Sequence, residues 1–226
     1  MMKRIATAEL LDSDAGTPRE IAASLRDLDR INIWFGGDRA SASMIRSIAQ
    51  RTGKTDLTLL EVAAGSGRSA RRVAELVRGQ GINVSLTLLD RRASHVSESS
   101  GIGNAQVIVA DALSLPFADA SFDITSCSLF THHLSEPQVV QFANEALRVT
   151  RTAVIINDLV RHPLHYVITY AGLPLFRSRI TWNDAPASVR QSYRRNEMRQ
   201  LLSQVRSSRF EINSHYLFRM GAILWK

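Results

Sequence analysis

Five short apolar runs recur along the chain, at 57–62, 84–89, 105–109, 124–129 and 153–157, and each ends in polar or small residues. Runs this continuous are expected of parallel strands covered on both faces. Between the first two, 68–78 reads as a helix. A second helix is predicted over 136–148, starting after Ser135 with Glu136-Pro137 as its N-terminal signature. Strand and helix in alternation predict an α/β fold with a parallel sheet. Upstream, 18–50 reads as two amphipathic helices. Ile21, Leu25, Leu28 and Ile31 recur at helical spacing, Gly36-Gly37 ends the first helix, and Asp38 is expected to cap the second. Downstream, 159–189 leaves the alternation. Pro163, Pro174 and Pro186 punctuate an apolar segment from Leu164 to Phe176, which reads as a helical insert. Asn183-Asp184 and 188–193 are expected to introduce a last helix ending near Gln204, and 210–225 reads as an antiparallel pair.

The first run carries the most specific signal. Leu59-Leu60-Glu61-Val62-Ala63-Ala64-Gly65-Ser66-Gly67-Arg68-Ser69-Ala70 is a strand closing in an acid, a glycine loop and a helix start. A parallel α/β sheet binds nucleotides at such a turn. Glycine there accepts positive φ and lets a ligand approach the backbone, and the new helix presents unpaired N–H groups. Gly65-x-Gly67-x-x-Ala70 with Asp90 about 20 residues on also fits a dinucleotide fingerprint. Three features argue for another nucleotide. Glu61 puts a carboxylate beside the loop, where it would repel a pyrophosphate and hold an ammonium. Asp111-Ala112 closes the third run. Leu115-Pro116-Phe117-Ala118-Asp119-Ala120-Ser121-Phe122-Asp123 leads into the fourth. Short-chain hydride transfer would need Tyr-x-x-x-Lys, and none of the four tyrosines has a lysine four residues on.

On these residues the chain resembles the class I S-adenosylmethionine-dependent methyltransferases, in particular the small methyltransferase type 11 group. That group includes quinone-biosynthesis C-methyltransferases and small-molecule O-methyltransferases. Its E-x-x-x-G-x-G pattern falls on Glu61, Gly65 and Gly67. Its strand-ending acid falls on Asp90, its D-A pair on Asp111-Ala112, and its L-P-F-x-D-x-S-F-D on 115–123. The resemblance covers roughly 55–160. It implies a Rossmann-like fold: a seven-stranded, mostly parallel sheet with helices on both faces, closed by a C-terminal antiparallel β-hairpin. It also implies one domain over 1–226, with 1–50 a helical lid and 159–189 a cap after the fifth strand that sets substrate choice.

The implied cofactor is S-adenosyl-L-methionine, and each of its groups needs a different partner. Glu61 is expected to hold the ammonium, while Ala63, Gly65 and Gly67 let the backbone approach the methionine part. Asp90 would accept from the ribose hydroxyls with Arg91 beside it, the Arg91 and Arg92 side chains staying solvated. Asp111 would take the adenine amino group and the Ala112 N–H a ring nitrogen, with Ser128 completing the lining. Transfer to oxygen also needs a base. After the fourth strand the chain reads Ser128-Leu129-Phe130-Thr131-His132-His133, and His titrates near neutrality. His132 and His133 are therefore the candidate base or acceptor-orienting groups, although a histidine at the second position also serves the family as packing. His162 and His165 are weaker candidates. Tyr166, Tyr170 and Trp182 could stack on an aromatic acceptor or pack in the core.

The fourth strand lacks the [D/N/S]-P-P-[Y/F/W] turn of amino-group nucleobase methylation. Cys127 follows Ser126, not proline, so it is no pyrimidine nucleophile, and no double-glutamate loop marks an arginine methyltransferase. Leu164, Val167, Ile168, Leu173, Leu175 and Phe176 in the cap point to a hydrophobic small molecule. The expected reaction is transfer to a hydroxyl of a phenolic, quinone-like or polyketide-type acceptor. C-methylation of a quinone or aromatic precursor stands as the alternative, followed by a non-catalytic nucleotide- or RNA-binding protein.

Composition adds bounds. The 226 residues suit one core. A single cysteine excludes an internal disulfide or a cysteine-based metal site, and no metal ligands are expected. A cytoplasmic, reducing setting fits. Residues 1–14 lack a signal-peptide core, and Asp158, Arg161 and His162 break 154–176 as a membrane span. The net charge is +7, carried by dispersed arginines, with Lys3, Lys54 and Lys226 the only lysines. The densest group, Arg190, Arg194, Arg195 and Arg199, is expected on one helix. A basic balance admits an anionic partner, yet no RNA-binding module is visible, so nucleic acid is not expected. A monomer or homodimer is anticipated.

Overall fold

The structure is a computed structural model that describes residues 2–96 and 105–226. Two helices come first, α1 (Pro18–Trp34) and α2 (Gly37–Thr52). The alternating unit follows: β1 (Asp56–Val62), α3 (Arg68–Arg78), β2 (Asn83–Asp90), a short α4 (Ala93–Val96), β3 (Gln106–Val109) and β4 (Phe122–Ser128). Then come α5 (Glu136–Val149), β5 (Thr150–Leu159), α6 (Pro163–Gly172), α7 (Arg179–Gln191), α8 (Arg195–Leu202), β6 (Arg209–His215) and β7 (Arg219–Trp225). The strands form one sheet in the order β3-β2-β1-β4-β5-β7-β6. β1 pairs in parallel with both β2 and β4, β2 with β3 and β4 with β5; among the described residues only β7 runs against its neighbours. The expected hairpin is thus present, inserted so that its second strand lies beside β5.

Alternation along each strand divides the core into two layers. Leu60, Val62, Val154 and Ile156 face α5 and α8, meeting Phe142, Ala146, Met198 and Leu202. Leu57, Leu59, Ala153 and Ile155 face α2 and α3, meeting Ile45, Ile48, Val73 and Val77. Glu61 shares the parity of Leu57 and Leu59, so its carboxylate points toward α2 and is buried. A small third cluster, Ile21, Leu25 and Ile180, joins α1 to α7 and takes up Leu10 and Leu11 from the N-terminal segment. Gly221 sits where β7 passes under α2. A Cβ there would lie 2.6 Å from His215 Nε2 and 2.7 Å from Met44 Sδ. Gly221→Ala is expected to destabilise the fold by about 1–3 kcal/mol through overpacking, read as a lowered urea midpoint; an unchanged midpoint would contradict this packing.

Several sequence expectations are corrected. Asp38 does not cap α2, whose N-cap is Gly36 in the left-handed region. As the second residue of the helix, Asp38 instead accepts from Ser69 Oγ at 2.5 Å and Arg72 Nε at 2.8 Å, tying α2 to α3. The last helix is two. Asn183, Asp184 and Ser188 lie inside α7, and the chain turns at Ser192–Arg194 before α8. Burial of Ile180, Ala187 and Val189 holds α7 together through Pro186. The arginine group is therefore split: Arg190 belongs to α7, Arg194 is the N-cap of α8, and Arg195 and Arg199 lie on α8.

Candidate functional site

The strand order reverses between β1 and β4. From β1 the chain proceeds outward through β2 and β3, and from β4 the other way through β5. The strand ends at such a switch point splay apart and leave a crevice. Here it is a cleft of about 470 Å³, roofed by α1, α6 and α7 and lined by the loops after β1 to β5. Its size is within the range of small-molecule sites.

One side of the cleft collects the strand-ending acids. Glu61 is fully buried opposite Ser126 on β4, whose hydroxyl it engages. Burial pushes its carboxyl up to about 7, against the Ser126 hydrogen bond, and Asp38 adds to the rise. The loop after it turns through left-handed residues, Ala63 (φ 55°), Gly65 (φ 54°) and Gly67 (φ 67°). Asp90, at the end of β2, clamps this loop. Its Oδ2 accepts from the Gly65 N–H at 2.9 Å and its Oδ1 from the Arg92 N–H at 2.9 Å. Burial alone would raise the Asp90 carboxyl; its hydrogen bonds from His95, Arg92 and Gly65 win and lower it. A carboxylate offers about four acceptor positions, so capacity remains toward the cleft. Asp111 is exposed at the cleft edge, its Oδ1 taken by the Leu113 N–H, with buried Ala112 beside it. Ala63, Gly65, Arg91 and Ser128 also line the cleft. Gly67 is not a lining residue among those described; it is the N-cap of α3. Arg91 is exposed, as expected of its side chain. Arg92 is half-buried rather than freely solvated: it donates to the carbonyl of Asp12 and holds the N-terminal segment across the cleft.

The other side holds the histidines on a one-turn 3-10 helix, Thr131–His133, directly after β4. His132 is buried, and its Nδ1 lies 2.7 Å from Asp158 Oδ1 on β5. Asp158 Oδ2 also accepts from Thr131 Oγ1 at 2.6 Å and the His132 N–H at 3.0 Å. Burial would raise the Asp158 carboxyl, but His132, Thr131 and the Leu159 N–H hold it down at about 2. His133 Nδ1 lies 2.8 Å from Asp12 Oδ2. The two imidazoles lie 4.2 Å apart, and the Nε2 of each faces Glu9. Glu9 is buried, its Oε1 accepting from Ser188 Oγ and Gln191 Nε2 at 2.6 Å each. Burial pushes its carboxyl up to about 7, against the opposing pull of His133 and Ser188.

Sequence reasoning missed Glu9, Asp12 and Asp158. Asp158 carried the signal that marked Glu61 and Asp90, an acid at the end of an apolar strand. Glu9 and Asp12 lie in a segment without periodicity, and only the contacts of that segment place them: Leu10 and Leu11 N–H on Asp184, Thr7 N–H on Gln191 Oε1 and Arg4 on the carbonyl of Leu134. The aromatic candidates fall outside. Tyr166 and Tyr170 pack against each other, Tyr166 under Arg190, and Trp182 bonds the Phe176 carbonyl; none of the three lines the cleft. In the cap Ile168, Phe176 and the largely exposed Leu175 line it, whereas Leu164, Val167 and Leu173 do not. His165 lines it too, and His162 caps α6.

Residues 59–153 match the family model described as a methyltransferase domain. A curated relative, the ubiquinone/menaquinone biosynthesis C-methyltransferase UbiE of Rickettsia bellii, is 34% identical over 100 residues, covering 41% of this chain and 40% of the relative. The O-methyltransferase rstn1 of Aspergillus nomiae is 33% identical over 87 residues, covering 37% and 39%. The matched segments thus span about 40% of the length of these relatives. Among solved structures, the plantazolicin methyltransferase BpumL in complex with SAH superposes with a TM-score of 0.72 at 13% identity, over 96% of this chain and 94% of that one. Among the described residues, no helix is long and apolar enough to cross a membrane.

Proposed function

We propose that this chain, whose residues 59–153 match a methyltransferase domain, is a class I S-adenosylmethionine-dependent methyltransferase that moves a methyl group from S-adenosyl-L-methionine to a hydroxyl of a hydrophobic small molecule of phenolic, quinone-like or polyketide type. The observation that carries this reading is the Asp158–His132 pair at 2.7 Å, opening into the same cleft as Glu61, Asp90 and Asp111. Glu61 takes the cofactor ammonium, the Ala63–Gly65 backbone its methionine part, Asp90 the ribose hydroxyls, and Asp111 with the Ala112 N–H the adenine. The acceptor enters under Ile168, Leu175 and Phe176. Its hydroxyl proton passes to a histidine of the cluster, with Asp158 holding His132 and Asp12 holding His133 in the required tautomer. When bound, S-adenosyl-L-methionine would supply the methyl group and the sulfonium leaving group, and the residues of the two sides of the cleft would hold the acceptor oxygen in line with them. Alignment of the two reactants supplies much of the rate, an effect that reaches about 7–11 kcal/mol. Transfer to carbon, as the name of the Rickettsia relative states for that protein, is separated by NMR of the product.

The test is calorimetric titration with S-adenosylhomocysteine, with NAD as control. Wild type is expected to bind the former at micromolar concentration. Asp90→Ala, which loses a charged acceptor worth about 1.5–3 kcal/mol, is expected to bind roughly 10–150-fold more weakly. Preference for NAD, or equal binding by the variant, would defeat the cofactor assignment.

A further inference from the structure

We propose that Glu9, His132 and His133 form a binding site for one divalent transition-metal cation of the Zn2+ type. Two imidazoles and a carboxylate are a donor set suited to such ions, and three protein ligands leave positions open for an outside ligand. One ligand atom from each residue lies within 4.8 Å of the others. The centre of such a triangle is about 2.8 Å from each corner, so an inward movement of about 0.7 Å reaches ordinary zinc–ligand distances.

The surroundings of the three side chains carry the argument further. Each is also held by a partner: His132 Nδ1 by Asp158, His133 Nδ1 by Asp12, and Glu9 Oε1 by Ser188 and Gln191, which leaves Glu9 Oε2, on the side of His133 Nε2, open to a cation. A carboxylate accepting from Nδ1–H places the proton on that nitrogen, leaving the Nε2 lone pair facing inward, the outer-shell arrangement of histidine metal ligands. The inward contacts, 3.7 Å from His132 Nε2 to Glu9 Oε1 and 3.9 Å from His133 Nε2 to Glu9 Oε2, are too long for hydrogen bonds. The Nε2 of each histidine thus faces a Glu9 oxygen at 3.7–3.9 Å, a separation that a single cation can bridge.

Charge points the same way. Asp158 and Asp12 each engage one imidazole, Glu9 faces both and Asp184 acts on Glu9; Arg91 acts on Asp12 and Arg219 on Asp158 from outside the cluster, while nearby Arg4 spends its guanidinium on the carbonyls of Gln191, His132 and Leu134. A divalent cation offsets this excess. Because Glu9 comes from the N-terminal segment and the histidines from the turn after β4, the cation would also pin that segment over the cleft. Its open positions would take an acceptor oxygen and lower the pKa of its hydroxyl; that role rests on the proposed methyl transfer, whereas the cation site does not. A bound cation occupies the Nε2 lone pairs of both His132 and His133, so proton acceptance by either belongs to the cation-free cluster.

The test uses the full chain, stripped with a chelator and titrated with Zn2+ by calorimetry and with Co2+ by visible absorption. One site per chain is expected, with the d–d bands of four- or five-coordinate Co2+. Glu9→Gln and His133→Asn are expected to weaken binding at least about a hundredfold, and Asp12→Asn, which removes an outer partner, about 10–100-fold. Unchanged S-adenosylhomocysteine affinity in the same variants reports an intact fold. A wild type without the Co2+ bands, or variants that bind Zn2+ as tightly as wild type, would overturn the site. Loss of S-adenosylhomocysteine binding in wild type, with Zn2+ binding intact, would overturn the methyl-transfer reading and leave the cation site standing.

Discussion

Glu61→Gln is expected to make the ligand-free chain more stable at pH 8 while removing tight binding of S-adenosylhomocysteine. The carboxyl is fully buried, and burial raises it from 4.5 in the unfolded chain to about 7 in the folded one. Between those values the folded state keeps a proton that the unfolded state has lost. The contribution of Glu61 to stability is therefore complete below pH 4.5 and declines as pH rises to about 7. The shift corresponds to about 3 kcal/mol at full effect. Glutamine, neutral at every pH and of the same shape, escapes this loss. Urea unfolding at pH 5 and pH 8 should show the wild type losing stability relative to the variant at the higher pH. Binding has the opposite sign. A cofactor ammonium favours the ionised carboxylate, so wild-type affinity should rise about tenfold between pH 6 and pH 8, and the variant should be weak and flat. Parallel stability curves with pH-independent wild-type binding would show that Glu61 does not face the ammonium.

Asp158→Asn is expected to lower turnover on the order of 10²–10⁴-fold, within the range for disabling a positioned acid–base group or its orienting carboxylate. The carboxylate is held at about 2 and is ionised at every working pH. It fixes the proton of His132 on Nδ1 and stabilises the imidazolium formed when Nε2 accepts a proton. An amide supplies neither the charge nor a second acceptor oxygen for Thr131 Oγ1 and the His132 N–H. The fall should appear in kcat, with S-adenosylhomocysteine affinity unchanged, because Asp158 lies outside the proposed cofactor contacts. Buried ion pairs lose about 3–5 kcal/mol when one partner is removed, so the melting temperature is recorded beside the rate, and Asp158→Glu serves as the charge-preserving variant. Turnover within a few-fold of wild type in a folded Asp158→Asn protein would remove the histidine from the reaction.

The cofactor half of the cleft was readable because its signals are local. Glu61, Asp90 and Asp111 each follow an apolar run, and a parallel strand must deliver its last residue to the same edge of the sheet as its neighbours. What spacing could not show is that Asp90 has a second task, holding the Gly65 N–H and so the loop itself. The helix boundaries after β5 were less legible, since Pro163, Pro174 and Pro186 read alike as punctuation while burial decides which of them interrupts a helix. Pro186 does not.

By itself, the sequence determined the α/β alternation, the strand edge where the cleft opens and the acids along one side of it, because hydrophobic period and glycine geometry act over a few residues. Only the tertiary structure decided the chemistry of the other side. His133 meets Asp12 across 121 residues of chain, and Glu9 meets Gln191 across 182. No local pattern encodes such pairings. They exist because β4 and β5 lie side by side, α7 packs on α1, and Asp184 and Arg92 fasten the N-terminal segment between them, so that carboxylates taken out of water find partners that offset the cost.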